Sequence, residues 1–319
     1  MMQVKSNETL VENWPKDMLG LRGKTDVQLT RILDTAVQFR TVSKRAVKKV
    51  PTLRGRTVIM AFFENSTRTK LSFEVAAKRL SADVISFSAA TSSSKKGETL
   101  LDTAKNLDAM SPDAMVLRHS QTGAPHLLAS HFDWSVINAG DGINEHPSQG
   151  LLDMLTMRDH LGDLRGKRVG IVGDIRHSRV ARSNIFGLQT MGATVCIAGP
   201  GTMCPKEYAG LGVEIAHSID ELLDSVDALM MLRVQRERLG RAMLPSVEEY
   251  ASLYGLNMDR LRKCQSHCLI MHPGPINHGV EMMPDVLDDP RSVVMEQVTN
   301  GIAIRMALLH LALSGQSGV

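Results

Sequence analysis

At about 150 residues per domain, a chain of 319 residues predicts two domains with a core that needs no disulfide or structural metal. Apolar residues make up 43% and charged residues 22%, which excludes a disordered or fibrous chain. Lys and Arg number 37 against 34 Asp and Glu, and a formal charge of +3 excludes a general nucleic-acid coat while leaving room for a local anion site.

The start, MMQVKSNETLVENWP, has no apolar signal core, so a cytoplasmic protein is expected. Apolar runs rich in β-branched residues then alternate with amphipathic stretches. Arg56–Phe63 reads as a strand, and Thr69–Leu80 as a helix with Val75, Ala76 and Leu80 on one face. Asp83–Phe87, Ala114–Leu117 and Ser135–Asn138 are further strands, followed by an amphipathic helix over Pro147–His160. The alternation restarts with strands at Lys167–Val172, Thr194–Ala198, Ala228–Leu232 and Cys268–Met271, and an apolar helix over Gly301–Ala312 closes the chain. The chargeless stretch Ser183–Pro205 holds glycines and prolines and reads as turns around a buried strand, not a membrane span. This alternation predicts two doubly wound, parallel-sheet α/β domains with the active site in the interdomain cleft. They are expected over 1–150 and 151–297, with a C-terminal helix at 298–319 packing back on the first.

Polar clusters follow the expected strands, where open α/β sheets bind ligands. Ser66-Thr67-Arg68-Thr69 lies between a strand and a helix. Free N–H groups, three hydroxyls and a planar guanidinium favour an anion site over a capping segment with a solvated Arg. Thr91–Glu98 alone reads as a solvated surface loop. Arg118-His119 ends a strand, and Arg118 either reaches the cleft or pairs with a carboxylate. His146 precedes a helix, and an isolated loop histidine is ordinarily solvated. Gly170 and Gly173 do not complete GxGxxG and no Walker sequence occurs, so dinucleotide and ATP sites are excluded. Arg233 and Gln235 alternate as if pointing one way from an extended segment. His272-Pro-Gly274-Pro275 makes a stiff turn that presents backbone carbonyls. Cys264 and Cys268 with His267 between them carry only a weak zinc hint, and buried free thiols are the better reading of all four cysteines.

In order and register, these clusters resemble the catalytic chains of the aspartate carbamoyltransferase family: Ser66–Thr69, Ser92–Lys96, Arg118-His119, His146–Gln149, Arg179, Arg233–Gln235 and His272–Pro275. The resemblance implies transfer of the carbamoyl group of carbamoyl phosphate to the α-amine of L-aspartate, an early step of pyrimidine biosynthesis. It implies no cofactor, no metal, no nucleic acid and no membrane. It implies that Ser66, Thr67, Arg68, Thr69, Arg118, His146 and Gln149 bind carbamoyl phosphate, joined by Ser92 and Lys96 of a neighbouring subunit. Arg68, Thr69, Arg118 and His146 are the implied catalytic set, and Lys96, Arg179, Arg233 and Gln235 the implied aspartate ligands. Gly274 and Pro275 are implied backbone contacts. A homotrimer is implied, with regulatory chains or a dihydroorotase as further partners. The ornithine carbamoyltransferase family shares the Ser-Thr-Arg-Thr element, but its Ser-Met-Gly motif is absent here. His278 stands where relatives often carry Arg, and no role is assigned to it. A non-catalytic binder of small anions remains the alternative from another class.

Overall fold

The computed structural model describes residues 14–88, 98–234 and 246–314, which fall into two compact units. The first takes the described residues up to Gly20, Arg31–Gly142 and the described residues from Ile302 on, and the second takes Leu21–Thr30 and Ile143–Gly301.

The first unit is built around the part of α1 (Asp26–Arg40) from Arg31 on, β1 (Thr57–Phe62), α2 (Thr67–Arg79), β2 (Asp83–Ser88), α3 (Leu100–Asp108), β3 (Ala114–His119), α4 (Ala124–Ala129) and β4 (Ser135–Asp141). Its four strands are all parallel, in the order β2-β1-β3-β4. Five of six residues in β1 and all seven in β4 are buried, as expected of strands covered on both faces. α2 buries Thr69, Phe73, Ala76 and Ala77 and meets Leu80 at its end. Val75, expected on this face, is 36% exposed: the stripe runs 69-73-76-77-80, and one residue's 100° rotation carries Val75 out of it. α1 lies before the first expected strand and was not anticipated. Its buried Leu29, Ile32, Leu33 and Ala36 follow the helical period, and Thr25 and Gln28 cap it reciprocally.

The second unit holds α5 (Pro147–Leu161), β5 (Arg168–Val172), α6 (Arg179–Thr190), β6 (Thr194–Ala198), β7 (Glu214–Ile215), β8 (Ala228–Met231), α7 (Val247–Tyr254), α8 (Met258–Lys263), β9 (Leu269–Met271) and most of the first turns of α9 (Val294–Ser314). The sheet order is β7-β6-β5-β8-β9, again wholly parallel. Its core joins Val172, Ala198, Leu229, Met231 and Ile270 to Leu256 and Leu261. α5 departs from its expected amphipathic character, because every residue from Pro147 to Met157 is buried. Four of those residues, Ser148, Gln149, Asp153 and Thr156, are polar. α5 packs on α6, and its polar stripe is satisfied by partners on α6 and α9.

In both sheets the first strand is central, and the chain goes out on one side before returning on the other. The strand order therefore reverses between β1 and β3 in the first unit and between β5 and β8 in the second. Such switch points open a crevice at the carboxyl ends of the strands.

The glycines after β5 and β6 serve packing. Gly173 has φ +133° and donates its N–H to Ala198 O at 2.9 Å, and a Cβ on Gly199 would collide with the Gly173 carbonyl oxygen. Because that obstacle is backbone, Gly199→Ala should cost about 2–4 kcal/mol of stability, read as a lower urea midpoint at unchanged slope.

All four cysteines are buried and free, as expected. Among the described residues no helix is long and apolar enough to cross a membrane.

Candidate active site

In the first unit the switch point brings two of the expected clusters together. Phe62 pairs in register with Arg118, and Phe63 N donates to Arg118 O at 2.9 Å, so β1 and β3 end side by side. β1 runs on into the start of α2. Ser66 occupies the N-cap position with extended backbone (φ −160°, ψ 93°), yet its side chain makes no capping bond. By contrast Thr99, Ser178, Ser246 and Asn257 all cap their helices with side-chain oxygens. The Ser66 side chain therefore does not cap α2, and the first-turn N–H groups receive no bond from it. Thr67 and Arg68 are exposed, whereas Thr69 is 8% exposed and seats the helix.

Arg118 is half-buried. Its Nε lies 3.4 Å from Glu64 Oε2, and its NH1 donates to Ala139 O at 3.2 Å. Of the two readings of Arg118 the carboxylate contact is present: Glu64 steadies a guanidinium at the end of β3.

His119, the residue after Arg118, is engaged locally. Its ring packs against Phe63 at 5.2 Å, and its Nδ1 accepts the Gln121 N–H at 3.0 Å, which requires that nitrogen to be unprotonated. Burial holds its pKa below 6.5, against the opposing pull of Glu64 and Asp141. Below about pH 6.5 the unfolded chain takes up a proton that the folded chain refuses, so this contribution to stability is present above that pH and is lost as pH falls. His310, also lowered by burial and then by Arg31, acts with the same sign. Between pH 7.5 and 5.5 the urea midpoint should fall, and His119→Gln should remove part of that slope while leaving the His310 part.

In the second unit the switch point is flanked by two of the four expected aspartate ligands, Arg179 and Arg233. Val172 pairs with Met231, and Leu232 N donates to Val172 O at 2.8 Å, which sets the segments after β5 and β8 beside each other. The first leads to Arg179, the first residue of α6 and only 6% exposed. The second carries Arg233, half-buried, directly past β8. The turn after neighbouring β9 is tied in as well, since Asn277 Nδ2 donates to Val234 O at 3.0 Å. Within that turn Gly274 has φ +64°, the Gly274–Pro275 peptide is cis, and Gly274 N donates to His272 Nδ1 at 2.8 Å. With Nδ1 accepting, the ring proton sits on Nε2 and faces Glu281 Oε1 at 3.3 Å, both side chains fully buried.

His146 is not the solvated loop histidine that its isolation predicts. It is 4% exposed at the N-cap of α5, and its backbone N donates to Ser183 Oγ at 2.9 Å. Ser183 in turn donates to Glu145 Oε2 at 2.8 Å, and Glu145 also accepts the N–H groups of Leu21 and Arg22 at 2.7 and 3.2 Å. Glu145 and Ser183 thus fix the main chain at His146. Gln149, 8% exposed, lies one turn further along α5. Neither Glu64, Glu145 nor Ser183 was anticipated. For the two glutamates the available signal was position: Glu64 stands two residues before the Ser66–Thr69 cluster, and Glu145 immediately precedes His146. Ser92, Lys96 and Gln235 lie outside the described residues. Among the described residues no cluster of His, Cys, Asp and Glu is arranged to hold a metal ion.

Residues 16–159 match the family model described as the aspartate/ornithine carbamoyltransferase carbamoyl-P binding domain, and residues 165–312 match its Asp/Orn binding domain. The chain belongs to the aspartate/ornithine carbamoyltransferase family. Among curated relatives, this carbamoyltransferase is 56% identical to the aspartate carbamoyltransferase catalytic subunit of Syntrophobacter fumaroxidans, covering 93% of this chain and 97% of the other. It is 54% identical to the subunit of the same name from Syntrophotalea carbinolica, over 94% and 96% of the two chains. Solved structures do not separate the two branches of the family. Aspartate transcarbamoylase from Trypanosoma cruzi, in complex with carbamoyl phosphate and aspartate, superposes with a TM-score of 0.84 at 29% identity, covering 94% of this chain and 98% of that one. Ornithine carbamoyltransferase from Pyrococcus furiosus does so at 0.83 and 29%, covering 95% and 97%. The branch is decided by the sequence, through the relatives above 50% identity, and not by the backbone.

Proposed function

We propose that this carbamoyltransferase is an aspartate carbamoyltransferase, which joins carbamoyl phosphate and L-aspartate to give N-carbamoyl-L-aspartate and phosphate in pyrimidine biosynthesis. One observation carries the reading at the level of the site: each sheet's switch point is furnished with guanidinium groups, Arg118 beside the start of α2 in one and Arg179 with Arg233 in the other. Two separate anion-holding places suit a phosphate on one substrate and two carboxylates on the other. Such cations oppose the ammonium tail of ornithine.

In this reading carbamoyl phosphate is taken by 1–150, with 298–319 packed against it, and aspartate by 151–297. Ser66, Thr67, Arg68 and Thr69 hold the phosphate with Arg118, while Gln149 contacts the carbamoyl group. Ser92 and Lys96 complete that shell from a neighbouring subunit. Arg179, Arg233 and Gln235, with Lys96, fix the aspartate carboxylates, and Gly274 and Pro275 offer backbone contacts. The α-amine attacks the carbamoyl carbon, a C–N bond forms, and the C–O bond to phosphate breaks. Thr69, Arg118 and His146 donate to the carbonyl oxygen as charge gathers on it. A phosphate oxygen takes the amine's proton, so the step needs no protein base. The chemistry requires the two substrates to meet in reacting geometry.

A cytoplasmic homotrimer follows from the same reading, with regulatory chains or a dihydroorotase as possible additions. The exposed Leu71 (54%) and Val75 (36%), one turn apart on α2, supply apolar surface for association.

The test is direct. Purified protein given carbamoyl phosphate and aspartate should form a ureido product, and ornithine should not substitute. Turnover with ornithine equal to that with aspartate would move the chain to the other branch, and no turnover with either would favour the anion-binding alternative.

A further inference from the structure

We propose that Asp153, a buried carboxylate one helical turn beyond Gln149, is a positioning residue for carbamoyl phosphate, setting which end of the Gln149 amide faces the substrate. This role rests on the carbamoyl transfer proposed above. Asp153 is fully buried on α5. Its Oδ1 accepts from Gln149 Nε2 at 2.9 Å and from Gln297 Nε2 at 2.7 Å, and its Oδ2 accepts from Asn184 Nδ2 at 2.8 Å.

An ionised carboxylate only accepts, so each amide that meets it must present its NH2 group. That leaves the Gln149 carbonyl oxygen turned away from Asp153, as an acceptor. A carbamoyl group offers an NH2, and an acceptor is what it needs; a flipped Gln149 would set donor against donor. The same constraint fixes Gln297. With its NH2 on Asp153, its Oε1 accepts from His272 N at 3.0 Å, at the point where β9 passes into the Gly274–Pro275 turn. One oxygen, Oδ1, therefore orients both the Gln149 amide and the anchor of that turn. Oδ2 joins α5 to α6 through Asn184. Burying a charged residue in an apolar helix is costly unless its partners are supplied, and three amides supply them here.

The role assigned to Oδ1 separates positioning from mere structure. Asp153→Leu should raise the KM for carbamoyl phosphate about tenfold or more, with its calorimetric Kd following and the KM for aspartate changing much less. Asp153→Asn should stay within about threefold of wild type, because its amide oxygen can keep both glutamines while its NH2 donates to Asn184 Oδ1 once that amide turns over. Asn184→Leu should lower the melting temperature about as much as Asp153→Leu does, yet leave the carbamoyl phosphate KM within about twofold. In a Gln149→Leu background, Asp153→Leu should add nothing further to that KM. If Asp153→Leu yields no folded protein, Gln297→Leu replaces it, since it acts at the same oxygen and should raise the KM where Asn184→Leu does not. Equal effects of the Oδ1-side and Oδ2-side substitutions on KM, or effects that multiply with Gln149→Leu, would reduce Asp153 to a structural residue. Wild-type protein that turns over no carbamoyl phosphate would overturn the reaction itself, and the role of Asp153 with it; normal turnover with an unchanged KM in Asp153→Leu would overturn the positioning alone.

Discussion

Arg118→Ala is expected to lower kcat about 100- to 1,000-fold, the usual effect of deleting one preorganised donor from a developing oxyanion. The expectation comes from where the guanidinium is held. Arg118 is the fifth residue of β3, beside the last residue of β1, and the chain from β1 leads straight into the uncapped start of α2. Glu64 and the Ala139 carbonyl hold it there at 3.4 and 3.2 Å. An ion pair kept only for stability would behave otherwise: its removal costs little when partly solvated, and kcat would be nearly untouched. Urea unfolding of Arg118→Ala separates the two, since the catalytic reading requires a large loss of kcat at nearly unchanged stability. Retention of more than about a tenth of wild-type kcat would take Arg118 out of the reacting group's shell. Glu64→Gln, which keeps the neighbour's shape while removing its charge, should act through the same guanidinium with a smaller effect.

The parts of the fold that were legible in the sequence are those where local pattern and tertiary environment agree. β1, β3, β4 and β5 are short apolar runs because helices cover both faces of their sheets, so no polar alternation interrupts them. The polar residues that end these strands were legible for the same reason: a strand stops being apolar where it leaves the core, and in a parallel sheet that is where ligands bind. β3 and β4 run further than expected, through His119 and Asp141, because these polar residues still pair after the register shifts between Leu117 and His119. α5 shows the opposite case. Asp153 in Leu151-Leu152-Asp153-Met154-Leu155 looks like the solvent face of an amphipathic helix, yet its partners Asn184 and Gln297 stand 31 and 144 residues away. No window along the chain contains them. His146 was misjudged similarly, since what buries its main chain is Ser183 on α6. Short elements such as β7, of two residues, carry too little periodicity to be recognised. Hydrogen bonds within a helix or strand leave a local trace in the sequence, whereas bonds between elements do not, and the candidate site is built mainly from the second kind.

Mixing two inactive variants should bring activity back from nothing, and this is the expected outcome with the most consequence for the site. Lys96 is assigned to the active site by family resemblance, and in that arrangement it serves a neighbour's Arg68. Arg68→Ala and Lys96→Ala should each abolish carbamoyl transfer in the proposed homotrimer, Arg68 because the planar fork proposed to hold phosphate has no substitute in the first turn of α2. Each single variant has the same defect at all of its interfaces. When the two are dissociated, mixed and reassociated, some interfaces join an intact Arg68 to an intact Lys96, while others carry both defects. Activity should return below the wild-type level, in proportion to the mixed trimers counted by native mass spectrometry. Were both residues to act within one chain, every chain in the mixture would remain defective at its own site, and no ratio of mixing could restore turnover. Mixed trimers without activity would therefore confine the site to a single chain, and a mass showing monomers throughout would remove the shared site altogether.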